Sequence, residues 1–257
     1  MKIVVCVKQV PDSAAAIVVE DGNVNWGDAP IVINPWDEFA VEAALQLTEK
    51  YGGDVVALSM GTEQAKEALK HALAMGCSEA VLINDPELAG IDASGAAKVL
   101  AAGIQKVGDV DMAIFGKQAI DNDTGITPAM TARVLDWPMV SLISAIEDVS
   151  DGSIKAKRFM EEGNQIFESK LPAVASIVKD FSEPRYPSFM GIRKASRAEI
   201  PELTAGDLGL EKPTNKVKWF GVDNPPVREI TNEIIEGDTP EEIAANLVSK
   251  IMEEKVL

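Results

Sequence analysis

Short apolar runs alternate with longer segments of helical periodicity from the first residues to about residue 146. Runs such as Ile3–Val7 are typical of strands buried on both faces, whereas segments such as Asp37–Lys50, with apolar residues at helical spacing, are typical of helices. Strands separated by helices predict crossover connections between parallel strands. We therefore predict an α/β fold with a mainly parallel sheet and helices on both faces, of the nucleotide-binding, Rossmann-like type.

The bounds of the predicted elements follow from these runs and from the glycines and polar residues between them. The predicted strands are Ile3–Val7, Val55–Met60, Ala80–Asn84, Asp111–Phe115 and Met139–Ile146. The predicted helices are Asp37–Lys50, Thr62–Met75, Asp92–Val107 and Asp123–Leu135.

The pattern changes after residue 146. A hairpin is predicted around Gly163-Asn164, and a further strand at Ala173–Val178. Periodicity then fades from Phe181 until Thr239-Pro240, where an N-cap followed by Pro predicts a final amphipathic helix, Ile243–Lys255. A long irregular segment is unusual unless it is functional or lies on a partner, so we expect an extended C-terminal arm.

The composition argues against several classes of function. A formal net charge of −17 is unsuited to nucleic acid or anionic lipid, both of which need a basic surface. Two cysteines without a CxxC pattern and a single histidine exclude a Cys/His zinc site. A Ser-His-Asp triad would have to use His71, which lies mid-helix by pattern. We predict no metal site and no catalytic residue.

The chain is also expected to be cytoplasmic and not inserted in a membrane. The N-terminal apolar run Ile3–Val7 is too short for a signal peptide, and no stretch approaches the roughly 20 apolar residues of a membrane span. Few cysteines suit a reducing compartment.

The strongest candidate for a binding site is the loop of residues 116–128, GKQAIDNDTGITP, between a predicted strand and a predicted helix. The phosphate-binding motifs GxGxxG and GxxxxGK[ST] are absent from the chain. Phosphate could instead bind the backbone N–H groups at the start of the helix Asp123–Leu135, with Thr124 and Thr127 as hydroxyl donors and Gly125 allowing close approach. The alternative is a polar loop that only caps a helix.

Charged residues of the same loop have separate expected roles. Lys117 could neutralise a phosphate. Asp121 and Asp123 would repel phosphate, so we expect them to cap the helix or to hold a ribose hydroxyl.

Two more polar segments follow predicted strands or precede helices. Val7–Asp12 leaves the first strand, and Asn34–Glu38 enters a helix with Trp36 available to stack on a ring. By itself, the second segment is typical of a helix N-terminus with Pro at its first position. Three polar segments at one sheet edge predict a pocket.

Six ordered motifs between residue 1 and about residue 200 carry a resemblance to a known family. They are Val5–Asp12, Asn34–Glu42, Ala72–Gly76, Gly116–Asp121, Lys170–Val174 and Glu183–Tyr186. With these motifs the chain resembles the beta subunit of electron-transfer flavoprotein. The segment after residue 200 resembles that family only in the kind of element it forms, an arm that reaches a partner.

The resemblance implies an obligate heterodimer with an alpha subunit. That heterodimer would take electrons from flavin dehydrogenases, such as acyl-CoA dehydrogenases, and pass them to an acceptor such as a quinone oxidoreductase. FAD would be held mostly by the alpha subunit, and AMP would be bound in this subunit. In the bifurcating branch of the family, a second FAD takes the place of AMP. The chain would be an electron carrier and not a stand-alone catalyst, with the redox chemistry belonging to the flavin.

The resemblance also assigns residues by matching position. Trp36 would lie where the family often has an aromatic side chain close to the main flavin. The partner-docking residues would be Tyr186, Phe189 and Met190. The nucleotide pocket would be lined by Cys6, Asn34, Pro35, Trp36, Asp37, Met60, Lys117, Gln118, Ala119, Ile120, Asp121, Asn122, Asp123, Thr124, Gly125, Ile126, Thr127 and Pro128.

These assignments imply three regions of the chain. Residues 1–182 would form the nucleotide-binding domain, residues 183–200 a partner-recognition loop, and residues 201–257 an arm and helix that pack on the alpha subunit.

The chain departs from the family in the pocket loop. Bifurcating members typically read D-T-A-Q-V-G-P, but Ile126 and Thr127 stand at their Gln and Gly positions. AMP-type members often read N-Q-T-G, of which only Thr127 is kept, whereas Asn34–Glu38 resembles the AMP type. Some members have an aromatic residue where this chain has Ser13. We favour AMP over a second FAD.

Two other classes of function stay open. One is a stand-alone adenine-nucleotide-binding regulatory module, and the other is an adenylate-transferring enzyme of similar architecture. The missing phosphate motif argues against the enzyme. The irregular tail and the amphipathic terminal helix favour an obligate heterodimer over both.

Overall fold

A parallel sheet with helices on both faces forms the body of the computed structural model, which describes residues 1–15, 17–211, 213, 215–218, 220–224, 226 and 232–255. In chain order the strands are β1 (Lys2–Cys6), β2 (Gln9–Pro11), β3 (Val18–Glu20), β4 (Asn23–Asn25), β5 (Ile31–Ile33), β6 (Asp54–Met60), β7 (Glu79–Ile83), β8 (Met112–Gly116), β9 (Met139–Ser150), β10 (Ser153–Met160), β11 (Gly163–Lys170), β12 (Ala173–Ile177) and β13 (Glu202–Leu203). The helices are α1 (Pro35–Tyr51), α2 (Lys66–Met75), α3 (Ala93–Val107), α4 (Thr127–Leu135), α5 (Phe189–Ala195) and α6 (Pro240–Glu253).

The main sheet has the strand order β11-β10-β9-β12-β8-β1-β6-β7-β13. Neighbouring strands are parallel from β9 to β13, and only β9, β10 and β11 pair in antiparallel fashion. The predicted α/β class, with a mainly parallel sheet covered on both faces, is therefore confirmed.

The order of the strands contains a reversal of direction. From β1 the chain moves outward through β6 to β7, and then returns to β8 on the opposite side of β1. The carboxyl ends of β1 and β8 consequently lie side by side, with their following loops leading to different parts of the fold. This is the topological switch point, where sheets of this class bind their ligands.

Each face of the sheet has its own apolar core. Alternate residues of β1 point to opposite faces, so Val5 packs with α1 and α2, whereas Val4 packs with α3 and α4. Helix α3 approaches the sheet closely at Gly103, where a Cβ atom would lie 2.8 Å from Cδ1 of Ile83. Burial on both faces explains why the central strands read as continuous apolar runs.

The antiparallel end of the sheet differs in detail from the prediction. Strand β9 continues four residues beyond the predicted end at Ile146. A hairpin joins β10 and β11 as predicted, but its turn is Glu161-Glu162 and not Gly163-Asn164, which already belong to β11. A second hairpin was missed at Asp151-Gly152, where both residues have positive φ, as the two-residue turns favoured in hairpins require.

Other short elements were also missed by the sequence reading. Strands β2 and β5 pair with each other, and β3 pairs with β4, between the first long strand and α1. Helix α2 begins at Lys66, after a 3₁₀ turn at Glu63–Ala65, and not at Thr62. Helix α5 lies inside the segment in which periodicity fades.

Contacts divide the chain into two units, Met1–Gly221 and Val222–Leu257. In the second unit, Thr239 Oγ1 accepts a hydrogen bond from the N–H of Glu242 at 3.2 Å, and Glu242 Oε2 accepts one from the N–H of Asp238 at 3.0 Å. The bond to Thr239 confirms the predicted N-cap of the terminal helix, α6, and Glu242 adds a second bond to the residue before that cap. The predicted arm also includes residues 212, 214, 219, 225, 227–231 and 256–257, which lie outside the described residues.

In the part of the chain that the structure describes, no helix combines the length and the apolar character needed to cross a bilayer.

Replacing Ile114 with Ala should lower the free energy of unfolding by about 3 kcal/mol, because a buried side chain in the central strand β8 is lost and leaves a cavity. Urea denaturation would measure the change. Ile166→Ala in β11 is the matched control, since that side chain is 57% exposed, and it should change the same free energy by less than about 1 kcal/mol. Equal losses in the two variants would contradict the assigned core.

Candidate functional site

Three chain segments meet at the switch point: the end of β1, the start of α1 and the loop after β8. The backbone N–H of Asn34 donates to the carbonyl of Lys8 at 2.8 Å. The N–H of Lys8 in turn donates to Oδ2 of Asp37 at 2.7 Å. Asn34 is the N-cap residue of α1 and Pro35 occupies its first turn, so the predicted helix entrance is confirmed.

Asn34 connects α1 to the loop after β8. Its buried side chain donates from Nδ2 to the carbonyl of Gln118 at 2.9 Å and accepts at Oδ1 from the N–H of Ile120 at 3.2 Å. A carboxamide can do both at once because it carries a donor and an acceptor on one planar group. Neither Asp nor Leu at this position would satisfy both backbone groups.

Gly116, the last residue of β8, lies directly against the start of α1. A Cβ atom here would be 2.5 Å from Oδ1 of Asp37 and 2.6 Å from the carbonyl carbon of Trp36. Any larger residue would push α1 away from β8. The glycine therefore sets the distance between the two segments that carry the pocket residues.

The carboxyl group of Asp37 is buried between β1, β8 and α1. Burial raises its pKa to about 7, although hydrogen bonds from the N–H of Lys8, the Asn34 side chain and the N–H of Gly116 oppose that shift. Burial, and then the charge of Asp37, raise the pKa of the Cys6 thiol well above its usual value. Cys6 is accordingly a protonated, unreactive thiol at the carboxyl end of β1.

The loop after β8 folds back on itself before α4 begins. The N–H of Asp123 donates to the carbonyl of Ala119 at 2.9 Å, and the side chain of Gln118 donates to Oδ1 of Asp123. Asp123 and Gly125 both have positive φ, of 55° and 61°. This conformation explains the glycine at position 125, where few other residues are stable.

The predicted helix start at Asp123 is wrong. Helix α4 begins at Thr127, its N-cap residue is Ile126, and no side chain caps it. Asp123 cannot be the cap because its carboxylate accepts from Gln118, within the loop. Pro128 has no N–H and the N–H of Met130 donates to the carbonyl of Ile126 at 3.0 Å, so the N–H groups of Thr127 and Ala129 are the ones in this turn that an anion could bind.

Lys8 and Asp121 form an ion pair across the mouth of this loop, with Nζ 2.5 Å from Oδ2. The other carboxylate oxygen of Asp121, Oδ1, is buried and has no hydrogen-bond partner among the described residues. A buried acceptor without a donor is costly, so a ligand hydroxyl or amine fits this position. Lys8 lies in the segment Val7–Asp12 that the sequence analysis placed at the pocket edge, but it was not among the predicted pocket-lining residues.

Trp36 of α1 and Lys117 of the loop after β8 lie close together. The Nζ atom of Lys117 is 5.2 Å from the centroid of the Trp36 ring, within range of a cation–π interaction. Trp36 also lies beside Phe39, with ring centroids 6.3 Å apart. Both Trp36 and Lys117 are half-buried, so a ligand could contact the ring or the ammonium group.

The remaining predicted site residues lie at known places in the fold. Met60 ends β6 and packs partly on the core, and Pro128 is buried in the first turn of α4. Asn122 and Thr124 are exposed in the loop. The predicted docking residues lie in and before α5, and they are highly exposed: Tyr186 by 95%, Phe189 by 80% and Met190 by 70%.

His71 lies on the surface of α2, with Nε2 2.9 Å from Oε1 of Glu38 but not aligned for a hydrogen bond. This is the helix position that the sequence predicts for it. Within the described ranges, no cluster of three or more His, Cys, Asp or Glu side chains could hold a metal ion.

The strand order and the helices on both faces place this chain in the class of doubly wound α/β proteins, which bind their ligands at the switch point. Its residues 27–208 match the family model described as the electron transfer flavoprotein domain. The chain therefore belongs to the electron transfer flavoprotein domain family, as the sequence motifs predict.

Sequence similarity to known proteins extends over all, or nearly all, of the chain. A subunit of the caffeyl-CoA reductase-Etf complex of Acetobacterium woodii is 36% identical, and the alignment covers 100% of both chains. The electron transfer flavoprotein subunit beta of Clostridium acetobutylicum is 37% identical over 99% of each chain. The acryloyl-CoA reductase electron transfer subunit gamma of Anaerotignum propionicum is 33% identical over 100% of both chains.

Replacing Asp37 with Asn should change how stability depends on pH. Because the pKa of Asp37 is raised from 3.8 to about 7 in the folded state, its stabilising effect is complete below pH 3.8 and is lost as pH rises through 7. The difference in unfolding free energy, wild type minus Asp37→Asn, should therefore fall by about 2–3 kcal/mol between pH 5 and pH 8. Urea denaturation at several pH values measures it.

Asp136→Asn is the control for this experiment, since its side chain is 92% exposed. A wild-type-minus-Asp37→Asn difference that stays constant across the pH range would contradict the buried carboxyl described above.

Proposed function

We propose that this chain is the beta subunit of a heterodimeric electron-transfer flavoprotein that binds AMP in its switch-point pocket. The heterodimer carries electrons from flavin dehydrogenases, such as acyl-CoA dehydrogenases, to an acceptor such as a quinone oxidoreductase. Membership of the electron transfer flavoprotein family supports the electron-transfer role. The observation that carries the nucleotide proposal is the buried Oδ1 atom of Asp121, which has no hydrogen-bond partner among the described residues, in the loop that leads to the uncapped start of α4.

The phosphate of AMP binds the first turn of α4 in this proposal. The N–H groups there have no side-chain cap, and a helix N-terminus attracts anions through its aligned peptide dipoles. The hydroxyls of Thr124 and Thr127 add donors, and the positive φ of Gly125 lets the backbone approach the phosphate. The carboxylates of Asp121 and Asp123 are held by Lys8 and Gln118, so neither needs to face the phosphate.

The ribose binds next to Asp121. A ribose hydroxyl is a good donor for a carboxylate oxygen, and Oδ1 of Asp121 has no competing donor among the described residues. Lys8 fixes the other oxygen, so the carboxylate is oriented before the nucleotide arrives. Asn34 supports the same loop through Gln118 and Ile120.

The flavin of the heterodimer lies mostly in the alpha subunit, and it supplies the redox chemistry when bound. On this chain, Trp36 offers a half-buried aromatic ring and Lys117 a positive charge next to it. An aromatic ring can stack on a flavin, and a neighbouring cation favours negative charge on it. Lys117 belongs to the proposed AMP loop and Trp36 lies against the first residue of that loop, Gly116, so the nucleotide would fix their position.

A second FAD in the same pocket is the second candidate. Ile126, the N-cap residue of α4, exposes an apolar side chain beside the proposed phosphate site. A flat flavin ring could cover that side chain, whereas AMP would leave it exposed.

Cofactor analysis separates these candidates. The chain would be co-expressed with its alpha subunit, the complex purified and denatured, and FAD and AMP quantified by chromatography. We expect about one FAD and one AMP per heterodimer. Two FAD without AMP would replace the AMP proposal by the bifurcating type. A chain that stays monomeric or homodimeric, with nucleotide but without flavin, would support a stand-alone regulatory module instead.

Replacing Asp121 with Ala should lower the AMP content of the purified heterodimer at least about tenfold, because a charge-assisted hydrogen bond to ribose and its support by Lys8 are lost. Asp136→Ala makes the same change in charge at a highly exposed position and should keep full AMP content. Unchanged AMP in Asp121→Ala would remove the ribose assignment.

We also propose that Tyr186, Phe189 and Met190 dock a partner dehydrogenase. Their high exposure forms an apolar surface, and contiguous apolar surfaces on soluble proteins often mark binding sites. The basic side chains Arg193 and Lys194 follow directly in α5, on a chain with a net charge of −17. They would mainly raise the rate of encounter with an acidic partner. The names of two relatives include CoA reductases, which supports a partner that acts on CoA thioesters.

Two further features of the chain bear on the assembly of the heterodimer and on its location in the cell. The apolar side chains Ile243, Leu247 and Met252 are exposed along α6, and we propose that this helix packs on the alpha subunit as part of the arm of residues 201–257. We place the heterodimer in the cytoplasm, since Cys6 and Cys77 are buried free thiols that suit a reducing compartment.

Replacing Phe189 with Ala should slow flavin reduction by a dehydrogenase about tenfold or more, because a central apolar anchor is lost. A stopped-flow measurement with an acyl-CoA dehydrogenase, reduced by butyryl-CoA, would test this. FAD content and reduction by dithionite should stay unchanged. Phe159→Ala in β10 serves as the control because it also removes an exposed phenyl ring. Loss of FAD in Phe189→Ala would assign this residue to flavin binding and not to docking.

A further inference from the structure

The segment that precedes α5 is tied to α1 by a single arginine. Arg185 donates from its backbone N–H to Oε2 of Glu42 at 3.1 Å and from Nε to the same oxygen at 2.7 Å. Its Nη2 atom donates to Oε1 of Glu42 at 3.1 Å. Both oxygens of one carboxylate are thus bound by one residue, in the bidentate geometry that only Arg provides.

A second carboxylate of α1 binds the same guanidinium. Nη1 and Nη2 of Arg185 donate to Oε1 and Oε2 of Glu49, at 2.5 Å and 3.1 Å. Glu42 and Glu49 are seven residues apart on α1, and therefore lie on the same side of the helix two turns apart. Gln46, one turn after Glu42, donates to it at 2.8 Å and to Oγ of Ser182 at 3.0 Å.

Because Glu42 is buried, its carboxylate depends on the contact with Arg185. Glu42 is only 4% exposed, and an ionised carboxylate so far from water needs a cation and hydrogen bonds. Burial by itself would raise the pKa of Glu42, but the hydrogen bonds from Arg185 and Gln46 outweigh it, so the pKa lies below its usual value. Without Arg185 the carboxylate would be left buried and unpaired.

Helix α5 has a second fixed contact, with α2. At Gly191 a Cβ atom would lie 2.3 Å from the carbonyl oxygen of Ala74, so only glycine allows the two helices to approach this closely. Oγ of Ser188 accepts from the N–H of Gly191 at 2.9 Å and caps the start of α5. Near its other end, Ala195 is buried.

We infer that Arg185 and Gly191 are positioning residues, which hold α5 as a preformed docking helix on α1 and α2. A helix of seven residues is not stable alone in water, so its conformation must come from these contacts. The three exposed docking residues lie next to the two contacts and touch the partner themselves, whereas Arg185 and Gly191 act only through them. A preformed surface binds more tightly because less conformational entropy is lost on docking.

This inference rests on the proposed docking role of α5, and its test separates the two. Arg185→Ala and Arg185→Lys would be made in the heterodimer, with Arg133→Ala as the control. Arg133 is 85% exposed and, among the residues that the structure describes, pairs with exposed Asp136 alone, so the control removes the same charge without opening a buried contact. The probe is an acyl-CoA dehydrogenase reduced by butyryl-CoA.

Arg185→Ala should raise the KM for the dehydrogenase about tenfold and leave kcat unchanged, because only a fraction of the molecules carries a formed α5. Arg185→Lys should give an intermediate KM, since it keeps the charge but loses the bidentate geometry. FAD content and reduction by dithionite should match the wild type. A change in kcat with an unchanged KM would overturn the inference.

The second variant is Gly191→Ala, matched by Gly206→Ala, where a Cβ atom would meet its nearest neighbour at 3.6 Å. Limited trypsin digestion needs no partner and reports the order of α5 directly, since Arg193 and Lys194 lie within it. Cleavage after these residues should be about tenfold faster in Arg185→Ala and Gly191→Ala than in the wild type. The two control variants should be cleaved at the wild-type rate.

The outcomes distinguish the proposals. If Phe189→Ala raises KM while Arg185→Ala and Gly191→Ala change neither KM nor cleavage, α5 docks the partner but is not positioned by these residues. If cleavage accelerates in both variants and Phe189→Ala has no effect on KM, α5 is positioned as inferred but the docking role itself is wrong.

Discussion

The structure depends on how the polar backbone groups at the carboxyl ends of β1 and β8 are satisfied. Parallel strands end there with N–H and C=O groups that must find partners away from water. Two buried side chains of α1, Asn34 and Asp37, supply those partners for Lys8, Gln118 and Ile120. The same contacts fix the distance between strand, helix and loop. The residues that satisfy the sheet edge therefore also bring together the segments that carry the predicted pocket residues.

The sequence predicted the sheet well because its signal is local. Strands buried on both faces require continuous apolar runs, and each run of this kind in the first half of the chain became a strand. The start of α4 could not be predicted from local chemistry. Asp123 and Thr124 have the residue types of an N-cap, but Gln118 holds Asp123 in the loop and the helix begins four residues later. Lys8 was missed as a pocket-lining residue because its partner, Asp121, is 113 residues away.

The same reasoning explains why α5 was missed. Its seven residues make only about two turns, too few to show a helical period, and its exposed residues include the apolar Phe189, Met190 and Ile192, unlike those of an ordinary surface helix. Its conformation follows from contacts with two distant helices, through a glycine that has no side chain and an arginine that lies outside the helix. The shapes of both regions of proposed function, the pocket loop and α5, thus depend on contacts between residues that are far apart in the sequence. Such contacts cannot be predicted from the local sequence pattern.

Helix α1 contributes to both of these regions. Its N-cap residue Asn34 and its first-turn residue Asp37 lie at the switch point, and Glu42 and Glu49 bind Arg185 further along. At 1.5 Å per residue, Asp37 and Glu49 are separated by about 18 Å along one continuous helix. A helix packed along the core in this way does not bend easily. It therefore holds Arg185, which precedes α5, at a fixed distance from Asp37. The distance between a protein docked on α5 and the predicted pocket residues would therefore be set by α1.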